Sequence, residues 1–123
     1  MNVAIWALQG ILALIFLAAG VTKTTQPREK LEKNMGWVAD LSLPTVRLIG
    51  AVEILGALGL ILPAATGTAP VLTPIAATGL ALIMVGAIVV HLRRKEPKFI
   101  LMNVVFGLTA AVIAWARFSG VAA

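Results

Sequence analysis

Four long apolar runs dominate this chain of 123 residues and limit what it can fold into. The runs occupy residues 3–21, 45–62, 71–92 and 99–118. Each is close to the ~20 residues that an α-helix needs to cross a bilayer, whereas a barrel strand would alternate in polarity over about 10 residues. The sequence therefore predicts an all-α, antiparallel four-helix transmembrane bundle that forms a single domain over 1–123.

Composition agrees with a lipid environment. Hydrophobic residues make up 60% of the chain and charged residues 12%, and the mean hydropathy is +1.01. A soluble domain of this length could not bury so much apolar surface, because small domains leave much of their surface exposed. The lack of cysteine excludes disulfides and thiolate chemistry by the chain itself. One histidine and five carboxylates predict no metal cage, and no cofactor is evident.

The basic residues are concentrated in two of the three loops and predict an orientation. The first loop has basic side chains from Lys23 to Lys33 and the third has them from Arg93 to Lys98, whereas the second loop, 63–70, has none. Because cytoplasmic loops are enriched in Lys and Arg, we expect loops one and three in the cytoplasm and both termini outside the plasma membrane. The net charge of +5 then attracts anionic lipid headgroups, and nucleic acid is not an expected partner. The absence of basic side chains before the first run favours a retained helix over a cleaved signal peptide.

The first loop is long enough to contain a short helix. Pro27 suits a first helical turn and Gly36 suits a helix end. Leu31, Met35 and Val38 recur at helical spacing, so one face of this segment is apolar and its basic side chains point to water and headgroups. We expect a short interfacial helix between spans one and two. It serves either as a cover on the cytoplasmic end, which we favour, or as a lid or docking surface for a partner.

Five polar side chains lie in or at the ends of the spans: Lys23, Arg47, Glu53, His91 and Asn103. In an antiparallel bundle all five fall in the cytoplasmic half. An ionised side chain at a helix centre costs roughly 2.5–3.5 kcal/mol on insertion scales, so Glu53 is expected to face the bundle and to be either paired or protonated. Lys23 or His91 is a better placed partner than Arg47, which lies about a third of a turn away from Glu53 on the same helix.

This polar cluster has two interpretations. In the first, a buried ion pair between Glu53 and Lys23 or His91 fixes the order of the helices and has no further role. In the second, the cluster forms a pocket that binds a headgroup, a quinone-like ring or a proton, because ionisable residues inside membranes often mark functional sites. The residues alone favour neither interpretation.

Three stretches, FLAAGVTK, LIGAVEILGALGLILP and MVGAIVVHLRRKEP, resemble the DoxX-like family of small four-helix membrane proteins. The resemblance extends over essentially the whole chain, and the spacing of Gly50, Glu53 and Gly56 is its most telling element. Lys23, Glu53 and His91 match the recurrent polar positions of the family. The namesake branch is similar to a subunit of a membrane thiosulfate:quinone oxidoreductase. Other relatives are linked to membrane oxidoreductase complexes or to the assembly of partner proteins.

Three functions remain open. The first is a non-catalytic membrane subunit of an oxidoreductase system, which holds a quinone or another small amphiphile and works with a redox protein partner. The second is an assembly or scaffold protein whose basic loops dock a partner. The third is a proton-coupled transporter, although the small multidrug resistance family has its glutamate in the first span, where this chain has Gln9. Glycine-rich faces favour a homo-oligomer, and no self-sufficient catalytic site is visible.

Overall fold

The computed structural model describes residues 2–120. Its elements in chain order are α1 (Asn2–Thr25), α2 (Arg28–Asn34), a 3-10 helix (Gly36–Asp40), α3 (Leu43–Thr66), α4 (Leu72–Arg93) and α5 (Pro97–Ser119). α1, α3, α4 and α5 are long and apolar enough to span a membrane. The predicted all-α architecture of four spans, with a short helix between the first two, is confirmed.

Local signals set the helix ends slightly beyond the apolar runs. Ser42 caps the start of α3, since its hydroxyl accepts a hydrogen bond of 3.4 Å from the backbone N–H of Thr45. Gly67, with a positive φ of 71°, ends the same helix in the left-handed conformation that favours glycine. Pro97 occupies the first turn of α5, where its missing N–H costs no helical hydrogen bond.

The four long helices form a ring in the order α1, α3, α4, α5. The contact between α1 and α5 closes the ring and is the smallest of its four helix contacts. The α1–α3 connection (26–42) and the α4–α5 connection (94–96) meet at one end, where Arg94 contacts Asp40. We call this the basic end. The α3–α4 connection lies at the opposite end, together with the described chain termini, where Arg117 contacts Asn2.

Apolar packing fills the centre of the bundle, and apolar side chains also cover its outside. Phe16 and Phe106 meet edge to face between α1 and α5, with ring centroids 6.4 Å apart. Large side chains on the outer faces are exposed, for example Leu14, Leu48 and Leu82. Such a surface suits contact with lipid tails. The buried core consists mainly of Leu12, Ala13, Phe16, Ala57, Leu60, Ala77, Leu80, Met84, Ala110 and Ile113.

A proline inside α3 is accommodated by a threonine from α4. Pro63 has no N–H, so the carbonyl of Gly59, one turn earlier, loses its helical partner. The hydroxyl of Thr73 donates to that carbonyl at 2.9 Å. Within a bilayer no water can replace a lost backbone hydrogen bond, and a neighbouring hydroxyl can. The pair therefore fixes α4 against α3 in the half of the bundle away from the basic end.

Glycines bring α1 and α3 into backbone contact near the basic end. A Cβ added to Gly20 would lie 2.6 Å from the carbonyl oxygen of Gly50, and one added to Gly50 would lie 2.8 Å from the Cβ of Lys23. No larger residue fits at this crossing without moving a helix. The crossing places Lys23, on α1, beside the following turn of α3, which contains Glu53.

The short helix α2 is held by a small apolar cluster of its own. Leu31, Val38 and Val46 are buried together at the basic end. The guanidinium of Arg28 donates to the carbonyls of Val38 and Leu41 at 3.3 and 2.9 Å. Arg28 therefore does not point only to headgroups, as its position on the polar face predicted, because its guanidinium also binds backbone carbonyls at the end of the 3-10 helix.

Candidate ligand pocket at the basic end

A cavity of about 600 Å³ lies in the half of the bundle near the basic end, between all four long helices and the first loop. Lys23, Glu53, His91 and Asn103 all line this cavity. They come from four different helices and meet because the helices alternate in direction. Four of the five candidate residues are thus brought together, and the fifth, Arg47, does not line the cavity.

Lys23 and Glu53 form a buried ion pair. The Nζ of Lys23 lies 2.6 Å from Oε1 of Glu53, and the Glu53 side chain is only 2% exposed. The ammonium also lies 5.5 Å from the centre of the Trp37 ring, in cation–π geometry. Of the two partners considered for Glu53, Lys23 is therefore the one observed. The pair is neutral as a unit, which lowers the cost of placing either charge inside the membrane.

Arg47 supports this pair from outside the cavity. Its Nη1 donates to the backbone carbonyl of Lys23 at 2.8 Å. That carbonyl belongs to the last turn of α1, where carbonyls lack helical partners and a positive charge is favoured. Arg47 thus binds the end of α1 and does not contact Glu53. Arg47 contacts α1 and not Glu53 because the rotation of α3 about its axis directs residue 47 toward α1.

His91 pairs with a carboxylate in the third loop. Its Nδ1 lies 3.0 Å from Oε1 of Glu96, and its ring stacks on Phe99 with centroids 5.1 Å apart. An ionised carboxylate only accepts hydrogen bonds, so Nδ1 has the proton and Nε2 is the ring nitrogen left for the cavity. The hydrogen bond from His91, together with the nearby charge of Arg94, holds the pKa of Glu96 below its usual value.

Asn103 contributes an amide without a protein partner. The residue is 4% exposed, and its Nδ2 has no hydrogen-bond acceptor among residues 2–120. Buried donors are nearly always paired in native proteins. An unpaired amide in the wall of a cavity therefore indicates a position where a bound molecule can place an oxygen.

The rest of the cavity wall is apolar. A volume of about 600 Å³ is within the range of sites for small molecules, and such sites combine apolar walls with a few polar groups. This cavity suits an amphiphile with a polar head near Asn103. The apolar lining includes Met35, Trp37, Leu41, Ile49, Ile83, Met84, Val90, Phe99 and Met102.

The first loop covers the pocket and is attached to the third loop by one ion pair, between Asp40 and Arg94. Met35, Trp37 and Leu41 line the cavity from this loop. Arg94 lies 2.6 Å from the Asp40 carboxylate and 3.1 Å from that of Glu96. We call Asp40, Arg94 and Glu96 the clasp. None of the three was singled out from the sequence, since nothing in their spacing indicates that the two loops touch.

The clasp is expected to loosen in acid, because protonation of Glu96 removes the carboxylate that orients Arg94 toward Asp40. The pKa of Glu96 is lowered in the folded protein, so the ionised carboxylate stabilises the fold. This stabilisation is fully present above about pH 4.5, the unperturbed pKa, and is lost as the pH falls through the lower pKa of the folded protein. Because the chain has no cysteine, spin labels on Ala39→Cys and Lys95→Cys report the loop separation without interference. We expect a narrow distance distribution at pH 7 that broadens below about pH 4.5.

A charge variant tests the same contact at neutral pH. Arg94→Gln should broaden the distribution at pH 7, whereas Lys98→Gln, which removes an exposed charge from the following helix, should not. A narrow distribution in Arg94→Gln would show that the loops stay together without the clasp.

A second polar network lies at the opposite end. The Nε2 of Gln9 donates to the carbonyl of Leu60 at 2.5 Å, and Arg117 donates to Oε1 of Gln9 at 2.7 Å. Arg117 also contacts Asn2 at 3.0 Å and lies 5.2 Å from the Trp6 ring. This network joins α1, α3 and α5 far from the pocket, and we regard it as structural. Gln9 is visible in the sequence as an isolated polar residue, but its pairing with Arg117 depends on how α1 and α5 are aligned.

Comparison with known proteins gives one match. The sequence model of the DoxX-like family matches residues 7–114. No curated protein and no solved structure matches the chain. The matched range contains every residue that lines the pocket.

Proposed function

The chain belongs to the DoxX-like family, and on that premise we propose that it is a membrane subunit of an oxidoreductase system that holds the headgroup of a small amphiphile, a quinone in the first instance. Its four apolar helices make it an integral membrane protein. The observation that carries the proposal is the unpaired amide of Asn103. That amide shares one cavity with the Lys23–Glu53 pair and with His91.

The polar groups of the pocket suit a neutral ring with carbonyl or hydroxyl oxygens. Asn103 Nδ2 can donate to one oxygen, and the ammonium of Lys23 has donors beyond the one it uses for Glu53. Nε2 of His91 is the ring nitrogen left to form a hydrogen bond with a hydroxyl. A charged headgroup would disturb the balance of the Lys23–Glu53 pair, so a neutral one is favoured. The residues bind and orient the ring and exclude water from it.

The electrons and protons of any quinone reduction would come from a partner enzyme. The chain has no cysteine with which to exchange electrons. By the positive-inside rule we place the basic end in the cytoplasm and both termini outside, with the plasma membrane as the membrane concerned. A redox partner would then approach the basic end, where the clasp and the first loop cover the pocket.

Fluorescence of Trp37 tests the binding of a quinone. Trp37 lines the pocket, so a decyl-substituted benzoquinone bound there should quench it in a saturable way. Asn103→Leu removes about 1 kcal/mol of hydrogen bonding and should weaken binding roughly fivefold. Trp37→Phe should abolish the saturable part of the quenching, because neither Trp6 nor Trp115 lines the pocket.

Thr109→Val is the matched control on the same helix, because the Thr109 hydroxyl bonds only the carbonyl of Val105. It should leave the affinity within twofold. The proposal fails if wild-type protein shows no saturable quenching, or if Asn103→Leu binds as tightly as the wild type while retaining its helical content.

A scaffold is the alternative function, and exposed charge at the basic end favours it. Lys30, Lys33, Lys95 and Lys98 are exposed there and could dock an acidic partner. A scaffold keeps its partner when the pocket is disabled but the bundle stays folded. A ligand-dependent subunit loses its ligand under the same conditions.

A further inference from the structure

We propose that the natural ligand has a long apolar tail, which leaves the pocket sideways between α3 and α4 and lies along the outer seam of these two helices. This inference rests on the proposed function and specifies the class of amphiphile: a neutral head bearing carbonyl or hydroxyl groups on a single extended chain. A small ring without a tail would not be the natural ligand.

α3 and α4 are closely packed only in the half away from the basic end. A Cβ on Gly56 would lie 2.6 Å from Leu80, and one on Gly59 would lie 2.7 Å from Ala76. The hydrogen bond from Thr73 to Gly59 adds to this contact. Near the basic end, residues of both helices line the cavity, among them Ile49 of α3 and Val90 of α4. The two helices therefore separate toward the basic end.

The separation leaves a side window, which consists of Thr45 and Ile49 on α3 and Gly86 and Val90 on α4. All four residues line the cavity, and Thr45 and Gly86 are also exposed on the outside of the bundle. No atom of the described residues lies within 4 Å of a Cβ built on Gly86. We take this window as the opening of the pocket toward the lipid that surrounds the bundle.

An apolar groove begins at the window. This second cavity, of about 340 Å³, follows the same seam away from the basic end, and Ile83 lines both it and the pocket. The stretch of α3 from Val52 to Pro63 that borders it is about 16 Å long at helical rise. Other residues that line the groove are Leu55, Leu72, Ile75 and Gly79.

The window and the groove together fit one tailed molecule. Its head would lie near Asn103 and Glu53, and its tail would pass Gly86 and Ile83 and then follow the groove toward the bilayer centre. This orientation is that of a lipid in the leaflet at the basic end, with the head at the interface and the tail inward. A molecule dissolved in that leaflet could enter the window without leaving the membrane.

Three glycines allow a matched test. Gly86 lies in the window, Gly79 in the groove and Gly10 on α1, in neither cavity. A Cβ on any of the three meets no atom within 4 Å apart from its chain neighbours and the nearby backbone of its own helix, so each side chain can begin without a clash with another described helix. Quenching of Trp37 measures the binding of two probes: a decyl-substituted benzoquinone, and the same ring with methyl in place of decyl.

We expect Gly86→Phe to weaken binding of the decyl probe at least tenfold and that of the methyl probe by a much smaller factor. Gly79→Phe should weaken only the decyl probe, and Gly10→Phe should change neither. If the decyl probe binds the wild type and Gly86→Phe equally well, the proposed path of the tail through the side window is wrong, whereas the proposed ligand pocket is not contradicted. If neither probe binds the wild type, the proposed function is wrong, and the tail path is wrong with it.

Discussion

Glu53→Leu is expected to lower the free energy of unfolding by roughly 3–5 kcal/mol, because it leaves the Lys23 ammonium buried without its counter-charge. Lys23→Met should have an effect of similar size, since it leaves the carboxylate alone. The two groups are 2.6 Å apart, and their side chains are only 11% and 2% exposed, so solvent compensates little for the loss. Reversible unfolding in mixed micelles measures the change, with the exposed Lys98→Met as a control that should have little effect.

The double variant Lys23→Met/Glu53→Leu separates stability from function. Replacing a buried ion pair by apolar residues of similar volume is often neutral or stabilising, so the double variant should recover most of the stability that each single variant loses. It should nevertheless bind the decyl benzoquinone more weakly, because the polar wall of the pocket is gone. The contrary result would be a double variant whose loss of stability equals the sum of the two single losses. The two charges would then not compensate each other in the folded protein, although they lie 2.6 Å apart.

Gly20→Ala should destabilise the bundle by roughly 1–3 kcal/mol, the usual cost of overpacking. The added Cβ would lie 2.6 Å from the backbone oxygen of Gly50 and 2.6 Å from the side chain of Ile54. A backbone atom cannot rotate away as a side chain can, so α1 and α3 must separate. Lys23, one turn further along α1, would then move away from Glu53, and quinone binding should weaken together with stability.

Gly10→Ala is the control for this change. Alanine is normally more stable than glycine in a helix by roughly 0.5–1 kcal/mol, and no atom of the described chain lies within 4 Å of the new Cβ. Both variants are measured in the same mixed micelles. If Gly20→Ala lowers the free energy of unfolding and Gly10→Ala raises it, close helix packing and not helix propensity decides the result at Gly20. Equal effects would contradict the tight crossing of α1 and α3.

The fold and the approximate position of the site follow from the sequence because hydropathy and chain direction determine them. Four apolar runs of bilayer length admit little other than a helical bundle. Alternating helix directions then place Lys23, Glu53, His91 and Asn103 in the same half of the bundle, and all four line the cavity. The resemblance to the DoxX-like family is likewise confirmed.

Contacts that depend on helix rotation could not be predicted in the same way. Arg47 has the right depth for the cluster, but α3 turns it toward the carbonyl of Lys23. The pairing of His91 with Glu96, and of Arg94 with Asp40, depends on how two loops fold over the pocket. The proposed side window depends on how α3 and α4 pack against each other, which no local sequence pattern encodes.

Native mass spectrometry of the protein, extracted gently from its own membrane, tests the central claim most directly. The pocket should retain a small amphiphile in one-to-one amounts in the wild type and lose it in the folded double variant Lys23→Met/Glu53→Leu. An empty wild-type pocket would contradict the claim, as would an amphiphile bound equally by both proteins. An empty pocket with a stoichiometric protein partner retained in both would indicate a scaffold with a structural ion pair.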